Sequence, residues 1–263
     1  MALRPCRFAA GIVGVCFVLL FPAVIFAAKV PAEFPQGMVS LNFDDGFETT
    51  YDHAVSLLRK YGFKATFYIV TDYYKKQHAS MVTGEQALRL QMFDHEVGAH
   101  SRKHPLLRKV TNKGLKSEVL GSKKDLEKLG IKSVTTFCYP YGDYKKRVRT
   151  AVVNAGYMGA RTSDYGYNTP RSDRYLLKVV LVVRKSDFST VRSRIDWAIE
   201  HKLWIILVFH DIQRKPMKYG TTPNMLSAVL RYIRDKHMKV VTNSEGIQMM
   251  NDVRKALIPT VVE

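Results

Sequence analysis

Cysteines are few in this chain, and their positions exclude a disulfide framework. The 263 residues include three cysteines, and two of these, Cys6 and Cys16, lie in the N-terminal segment. Cys138 is therefore the only cysteine of the remaining chain, which cannot form an internal disulfide. Because a lone cysteine is more often a small buried hydrophobic residue than a nucleophile, we expect Cys138 to pack inside the fold.

Acidic residues are also scarce. The chain has 23 Asp and Glu residues against 41 Lys and Arg residues, which gives a formal net charge of +18. Such an excess favours acidic partners, for example anionic envelope polymers or lipid headgroups. Nucleic acid is the competing partner, but the basic residues are scattered and form neither a zinc-finger spacing nor a basic arm. We therefore expect a solvated basic surface and no nucleic-acid partner.

The first 28 residues resemble a secretory signal. Arg4 and Arg7 precede a largely apolar stretch, residues 8–26, which is followed by two alanines. This order of charge, apolar run and small residues is typical of a cleaved signal peptide. The apolar run approaches the ~20 residues that cross a bilayer, so an uncleaved anchor at residues 8–28 is the alternative. Both interpretations predict export to the periplasm or the extracellular space.

After a proline-bearing linker at residues 29–37, short apolar runs of β type alternate with amphipathic stretches. This alternation is typical of a parallel sheet flanked by helices. The length suits one α/β domain over residues 38–255, followed by a tail at 256–263. The predicted strands are Met38–Asp44, Lys64–Val70, Glu96–Ala99, Val134–Cys138, Tyr157–Ala160, Tyr175–Val183, Leu203–Phe209 and Lys239–Val241.

Amphipathic segments between these strands predict helices. Apolar residues at helical spacing run from Tyr51 to Tyr61 and end before Gly62. Thr83–Gln86 has the residues of a capping box and predicts the start of a second helix. Further predicted helices are Leu115–Leu129, Tyr144–Ala155, Thr190–His201, Pro223–His237 and Ser244–Asn251.

Reactive side chains cluster at the ends of the predicted strands. Six such residues lie at or just past the carboxyl end of a strand: Asp44, Asp45, His100, Tyr141, Arg161 and His210. Barrel enzymes assemble their active sites on this face. His210 follows a run of buried β type, so it could instead merely cap the barrel. The common placement nevertheless favours one shared site.

Asp45, His100 and His104 form a candidate metal site. The two histidines are four residues apart, and by spacing alone they could share one face of a helix. Pro105 follows His104 directly and disfavours helix there, which predicts a loop around one divalent ion. Ser101 after His100 excludes the zinc-protease signature His-Glu-x-x-His. One carboxylate and two imidazoles suit catalytic Zn²⁺, although Co²⁺, Ni²⁺ or Fe²⁺ would accept them too.

Four segments carry a resemblance to a known family: Asn42–Gly46, His100–Pro105, Phe137–Gly142 and Leu207–Asp211. Their order and spacing resemble the polysaccharide deacetylases of carbohydrate esterase family 4, over residues 38 to about 250. One Asp-Asp-Gly turn would be weak support, but four motifs in order are specific. The resemblance implies a distorted (β/α) barrel of about seven parallel strands in a single domain.

The resemblance also implies an activity and a role for each motif residue. The activity is metal-dependent hydrolysis of the N-acetyl group of N-acetylglucosamine residues in a cell-envelope or extracellular polysaccharide. Asp44 matches the general base, and Asp45 matches the aspartate that binds the metal together with the two histidines. His210 matches the general acid that protonates the leaving amine. Tyr141 matches the tyrosine whose backbone N–H faces the oxyanion.

The chain departs from the family pattern at two places. Cys138 stands where many members carry an arginine that orients the base, and we expect Arg161 on the next predicted strand to reach Asp44 instead. The family's Asp-and-Trp motif near the acid is degenerate, with Asp196 and Trp197 as the nearest match. Two alternatives stay open, an O-acetyl esterase on the same scaffold and a non-catalytic carbohydrate-binding relative.

Overall fold

Short buried strands alternate with helices along the chain. The computed structural model describes residues 33–256. The strands are β1 (Met38–Phe43), β2 (Thr66–Ile69), β3 (Glu96–Ala99), β4 (Thr136–Cys138), β5 (Gly159–Tyr165), β6 (Leu177–Leu181), β7 (Trp204–Phe209) and β8 (Lys239–Val240). The helices are α1 (Glu48–Tyr61), α2 (Thr71–Lys75), α3 (Gly84–Met92), α4 (Asn112–Leu129), α5 (Lys146–Asn154), α6 (Phe188–Glu200), α7 (Pro223–Asp235) and α8 (Asn243–Ala256).

Seven parallel strands close into a barrel. They follow one another in sequence order from β1 to β7, and β1 pairs with both β7 and β2. The pairing of β1 with β7 runs from Met38 to Phe43, whereas β2 pairs only with Asn42 and Phe43. The eighth strand, β8, pairs with the start of β1 at Met38 and Val39. The predicted seven-stranded (β/α) barrel in a single domain is therefore confirmed.

The barrel is filled by side chains from strands that are covered on both faces. Every residue of β1 and of β7 is buried, as expected for parallel strands with helices outside and a packed interior. Phe43 stacks between Phe67 and Phe209, with ring centroids 4.8 and 5.4 Å away. Each large apolar side chain that is fully buried contributes about 1.5–3 kcal/mol relative to an exposed one. A second cluster around Trp204 packs beside this core and includes Ile247 of α8.

Reciprocal side-chain caps fix the beginnings of two helices. The predicted capping box at Thr83–Gln86 is present at the start of α3. The last helix begins at Asn243, one residue before the predicted start at Ser244. The reason is a second reciprocal cap, in which the N–H of Glu245 donates to Oγ1 of Thr242 and the N–H of Thr242 donates to a carboxylate oxygen of Glu245.

One strand differs from its prediction in a way that matters for the site. The sequence places Arg161 just past the end of a strand at Ala160, but β5 continues to Tyr165. Arg161 therefore lies inside β5, in register with Cys138 of β4. The prediction of the strand end was wrong because the last three residues of β5 are exposed and do not continue the apolar pattern.

The predicted signal or anchor at residues 1–28 lies outside the described residues, as do most of the linker and of the tail. Phe34, in the part of the linker that is described, is buried in the cluster around Trp204. Between residues 33 and 256, no helix is long and apolar enough to cross a membrane. Cys138 is buried and unpaired, as expected.

Candidate active site

The seven predicted site residues come together at the carboxyl ends of the strands. Six of them line a cleft with a volume of about 520 Å³: Asp44, Asp45, His100, His104, Tyr141 and His210. Arg161 is 1% exposed and contacts Asp44 from inside the barrel. Chain segments that are far apart in sequence thus place acid, base and ligand-type groups in one cleft.

A left-handed turn after β1 separates the two aspartates. Asp45 and Gly46 have φ angles of 67° and 79°, a conformation that aspartate tolerates better than most residues and that glycine adopts freely. Because the chain turns between them, consecutive side chains reach different partners. Asp44 faces Arg161, whereas Asp45 faces the two histidines at His100 and His104.

The donor atoms of Asp45, His100 and His104 are spaced as the ligands of one ion. Oδ1 of Asp45 lies 3.3 Å from Nε2 of each histidine, and the two Nε2 atoms lie 3.1 Å apart. In a tetrahedral site with metal–ligand distances near 2.0 Å, neighbouring donor atoms are about 3.3 Å apart. The three atoms therefore form one face of such a tetrahedron, which leaves a position open towards the cleft.

The tautomer of His100 directs its free lone pair to this cluster. Its Nδ1 lies 2.8 Å from the carbonyl oxygen of Cys138, which can only accept, so Nδ1 carries the hydrogen and Nε2 faces Asp45. Burial and the neighbouring His100 lower the pKa of His104 to about 4. Burial opposes the ionisation of Asp45, but the hydrogen bond and charge of His100 lower its pKa overall. Burial lowers the pKa of His100, but the neighbouring Cys138 and Asp45 outweigh this effect and raise it. A cation that binds here therefore displaces a proton from Nε2 of His100, and the cluster then offers a carboxylate and two neutral imidazoles.

The loop that carries the histidines is held by α4. Ser101 and His104 both have positive φ angles, 62° and 59°, and the N–H of His104 donates to Oγ of Ser101 at 2.9 Å. One carboxylate oxygen of Glu118 accepts the N–H groups of Arg102 and of the next residue, each at 2.9 Å. The Arg102 side chain forms a two-pronged pair with Asp125, at 2.7 and 2.9 Å. These contacts stabilise a conformation that isolated residues disfavour.

Arg161 reaches the carboxylate of Asp44, as the sequence predicts. The two form a buried ion pair, and Asp44 is 3% exposed. The role that we assign to this contact, orienting the base, stays a prediction. Cys138, which takes the place of the family arginine, lies next to Arg161 on the adjacent strand and has a pKa raised by burial.

His210 approaches Asp44 on the carboxylate oxygen that Arg161 does not contact. Its Nε2 is 3.6 Å from Oδ2 of Asp44, and its Nδ1 is buried without a hydrogen-bond partner among the described residues. Asp196 does not contact His210, because it lies on α6 and bonds to Tyr232 and Lys236. The Asp196–Trp197 motif therefore supplies no acidic partner for the imidazole of His210.

The Tyr141 turn packs tightly against β5. Tyr141 has a φ angle of 59°, a conformation that is uncommon for a residue other than glycine, and its side chain is 64% exposed. Its ring contacts that of His104 edge to face, with centroids 4.5 Å apart. Gly142 follows with φ 65°, and a Cβ there would lie 2.4 Å from the backbone nitrogen of Ser163. Only glycine fits this contact, which fixes the turn beside the cleft.

The sequence did not reveal two parts of the site. The first is the wall formed by Met217–Gly220 in the loop between β7 and α7, where Asp211 accepts the N–H of Met217 at 2.9 Å. The second is the anchoring of the histidine loop by Arg102 and Asp125. Neither part has a local pattern, since each depends on contacts between distant segments.

The chain is similar in sequence to known proteins. A family model described as Polysaccharide deacetylase matches residues 32–160. The Bacillus subtilis protein YxkH is 28% identical over 144 residues, which are 55% of this chain and 51% of that protein. The poly-beta-1,6-N-acetyl-D-glucosamine N-deacetylase of Staphylococcus aureus is 26% identical over 167 residues, 59% of this chain and 57% of that protein. The chain thus spans a little more than half the length of these relatives.

Solved structures show the same fold. The peptidoglycan deacetylase PdaC of Bacillus subtilis superposes with a TM-score of 0.56 at 20% identity, over 84% of this chain and 95% of that chain. A variant of BA3943, described as a pseudoenzyme of carbohydrate esterase family 4, superposes with a TM-score of 0.58 at 16% identity, over 84% of this chain and 71% of that chain. In its matched motifs, its barrel and these comparisons, the chain resembles the polysaccharide deacetylase family.

Proposed function

We propose that this chain hydrolyses the N-acetyl group of N-acetylglucosamine residues in a cell-envelope or extracellular polysaccharide, with one divalent metal ion as cofactor. The observation that carries the proposal is the donor cluster of Asp45, His100 and His104 beside the ion-paired carboxylate of Asp44. Amide hydrolysis at neutral pH needs a cation that activates water and a carboxylate that takes its proton. The two adjacent aspartates can divide these tasks.

The donor set fits a catalytic metal. Asp45, His100 and His104 would hold the ion through one oxygen and two nitrogens, a set that suits Zn²⁺ and is also acceptable to Co²⁺, Ni²⁺ or Fe²⁺. When bound, the ion polarises the acetyl carbonyl and lowers the pKa of water.

The chain's own residues supply the proton transfers. Asp44, oriented by Arg161, accepts the proton of the attacking water. The backbone N–H of Tyr141 faces the negative charge that develops on the acetyl oxygen. His210, on the opposite side of Asp44, donates a proton to the leaving amine. Every charged group of the reaction then has a residue that stabilises it.

Two relatives support an N-acetylated polysaccharide as the substrate class. One is named as a deacetylase of poly-beta-1,6-N-acetyl-D-glucosamine and the other as a deacetylase of peptidoglycan. The groups described above contact only the sugar that reacts, so both polymers fit this site. An O-acetyl esterase would use the same groups, and a non-catalytic relative would keep the same fold. An assay on matched N-acetylated and O-acetylated oligosaccharides separates these alternatives.

We also propose that the protein is exported by residues 1–28 and acts near anionic envelope polymers. Support for the second part comes from the loop between β7 and α7, where Arg214, Lys215 and Lys218 are exposed and Lys218 lines the cleft. Among residues 33–256, no acidic side chain forms an ion pair with these three. Their charge is therefore available to an anionic substrate.

The first prediction separates the base from the metal ligands. Asp44→Asn should keep the bound ion and substrate affinity but lose about 10²–10⁴-fold in turnover, because the amide cannot accept a proton. His104→Ala should lose the ion itself, since it removes one of three ligands. Acetate release and metal stoichiometry, measured on the same preparations, test both. A fully active protein without stoichiometric metal, or a His104→Ala variant with unchanged metal and rate, would contradict the proposal.

The second prediction concerns the general acid. His210→Ala should slow the hydrolysis of N-acetyl substrates far more than that of activated acetyl esters, because an amine must be protonated to leave and an activated phenolate need not be. The two rates are measured with the same enzyme preparation. An equal loss on both substrate types would assign His210 to oxyanion stabilisation or to structure instead.

The third prediction concerns the anchor of the histidine loop. Asp125→Asn weakens the pair with Arg102 and removes no ligand, yet it should lower the affinity for the divalent ion about 10–100-fold, as loss of an outer-shell partner does. Competition titration with a chromophoric chelator measures the affinity. Glu85→Gln, which breaks an exposed pair with Arg89 on α3, is the matched control and should leave the affinity for the divalent ion unchanged. Equal affinities in wild type and Asp125→Asn would show that the loop holds its shape without α4.

The fourth prediction tests the basic loop. Replacing Arg214, Lys215 and Lys218 together by glutamine should raise KM about fivefold for glycan strands that carry carboxylates, and not for neutral N-acetylglucosamine oligomers. The difference should shrink as salt is added, because exposed charges are screened. As a control, Lys113, Lys124 and Lys128 on the exposed face of α4 are replaced together by glutamine. This replacement should change KM for neither polymer. An equal rise for both polymers would rule out recognition of charge.

A further inference from the structure

Arg161 makes more contacts than its pair with Asp44 requires. Its Nε donates to Oδ1 of Asn42 at 3.0 Å, and its Nη1 donates to the carbonyl oxygen of Thr162 at 3.3 Å. The remaining Nη2 pairs with Asp44. The plane of the guanidinium is thus fixed by hydrogen bonds at all three nitrogens. Only one of these bonds goes to the carboxylate of Asp44.

The donor-only character of Arg161 determines how two buried amides are oriented. Because Nε–H can only donate, Asn42 must present its oxygen to it, and its Nδ2 then donates to Oδ1 of Asn243 at 3.0 Å. Asn243 donates back to Oδ1 of Asn42 at 2.8 Å. Both amides are fully buried, so a flipped Asn42 would leave Arg161 without its acceptor. The two asparagines therefore form a reciprocal pair with one allowed orientation.

The hydrogen bonds continue across the barrel. Nδ2 of Asn243 also donates to the hydroxyl of Tyr68 at 2.8 Å, and Tyr68 donates to Oγ1 of Thr136 at 3.1 Å. Thr136 donates to Glu96 at 2.6 Å. The ring of Tyr68 also lies under the guanidinium of Arg161, with 5.0 Å between the guanidinium carbon and the ring centre. A buried series of side-chain hydrogen bonds therefore joins Glu96 to Arg161.

The Glu96 end of this series of hydrogen bonds holds the first turn of α8 in place. The backbone N–H of Asn243 donates to Oγ1 of Thr66 at 2.9 Å, and the N–H of Ser244 donates to Glu96 at 2.9 Å. Thr66 in turn donates to the same oxygen of Glu96 at 3.0 Å. A carboxylate at the N-terminus of a helix is favourable, because it accepts N–H groups that have no partner within the helix. Backbone and side chain of Asn243 are thus both held in place.

We propose that Asn42 and Asn243 are positioning residues for Asp44, which act by holding the guanidinium of Arg161 in the orientation that pairs with the carboxylate. The inference rests on the proposed function and deepens it. Arg161 lies just beyond the segment that the family model matches, residues 32–160, and Asn243 lies on the last helix. The helix α8 thus contributes to the geometry of the base, although it touches no reacting atom.

The kinetic test replaces Asn243. Asn243→Ala leaves Asn42 with no amide partner, and the isosteric Asn243→Asp keeps the volume but replaces both donated hydrogen bonds with a carboxylate that cannot donate. We expect kcat to fall at least tenfold in both variants, with KM and bound metal unchanged, as for other groups that orient a catalytic residue. The isosteric variant keeps the test valid if the alanine variant does not fold.

Ile247→Ala is the matched control for stability. Ile247 lies one turn further along α8 and is fully buried in the cluster around Trp204, without a part in the hydrogen-bonded chain. This variant should lower Tm and leave kcat of the folded protein within twofold of wild type. If the kcat of Asn243→Asp stays within twofold of wild type, or falls only in proportion to lost folded protein as in Ile247→Ala, the positioning role is overturned.

A spectroscopic readout separates this inference from the proposed function. The Nε–H of Arg161 is buried and hydrogen-bonded, so its NMR signal should exchange slowly with solvent in the wild type. Exchange should accelerate at least tenfold in Asn243→Ala and stay unchanged in Ile247→Ala. If the wild type had no deacetylase activity, the proposed function would be refuted. The exchange rate of the Arg161 Nε–H would still test whether Asn243 holds the guanidinium in place. Unchanged exchange in Asn243→Ala would overturn the inference.

Discussion

The site depends on one buried ion pair, between Arg161 and Asp44. Removing two charges from water costs several kcal/mol for each ion, and only good geometry with further hydrogen bonds offsets that cost. Burial lowers the pKa of Arg161, but the neighbouring carboxylate of Asp44 outweighs this effect and raises it. Removing one member of such a pair typically costs about 3–5 kcal/mol, since the other charge stays buried without a partner. Both residues are therefore constrained by folding as well as by the proposed reaction.

The same turn that places Asp44 also places the ligand cluster. Asp45 takes a left-handed conformation, so its carboxylate points to His100 and His104 while that of Asp44 points to Arg161. The proposed base and the proposed metal ligand lie on consecutive residues, so their carboxylates cannot move independently. The strain of this turn is thus held by contacts on both sides, which include the ion pair within the barrel and the anchored histidine loop.

Much of the fold was predictable, because buried parallel strands and amphipathic helices leave local patterns. The contact between Arg161 and Asp44 was predictable as well, because consecutive strands are neighbours and β5 places Arg161 beside Cys138, the position that matches the family arginine. The pairing of Asn42 with Asn243 was not, because these residues are 201 positions apart and no local pattern marks an amide pair. One signal was missed: Thr242 and Glu245 have the spacing of a capping box, which places Asn243 at the start of α8.

The missing arginine at Cys138 does not argue for a non-catalytic relative. Cys138 and Arg161 are aligned in register on adjacent strands, so the two positions lie at the same level of the barrel. Neighbouring strands are about 4.8 Å apart, a shift that the long side chain of an arginine can span. The small thiol of Cys138 leaves room beside the guanidinium that a second arginine would fill with like charge. The cation that pairs with Asp44 therefore comes from β5, one strand away from Cys138.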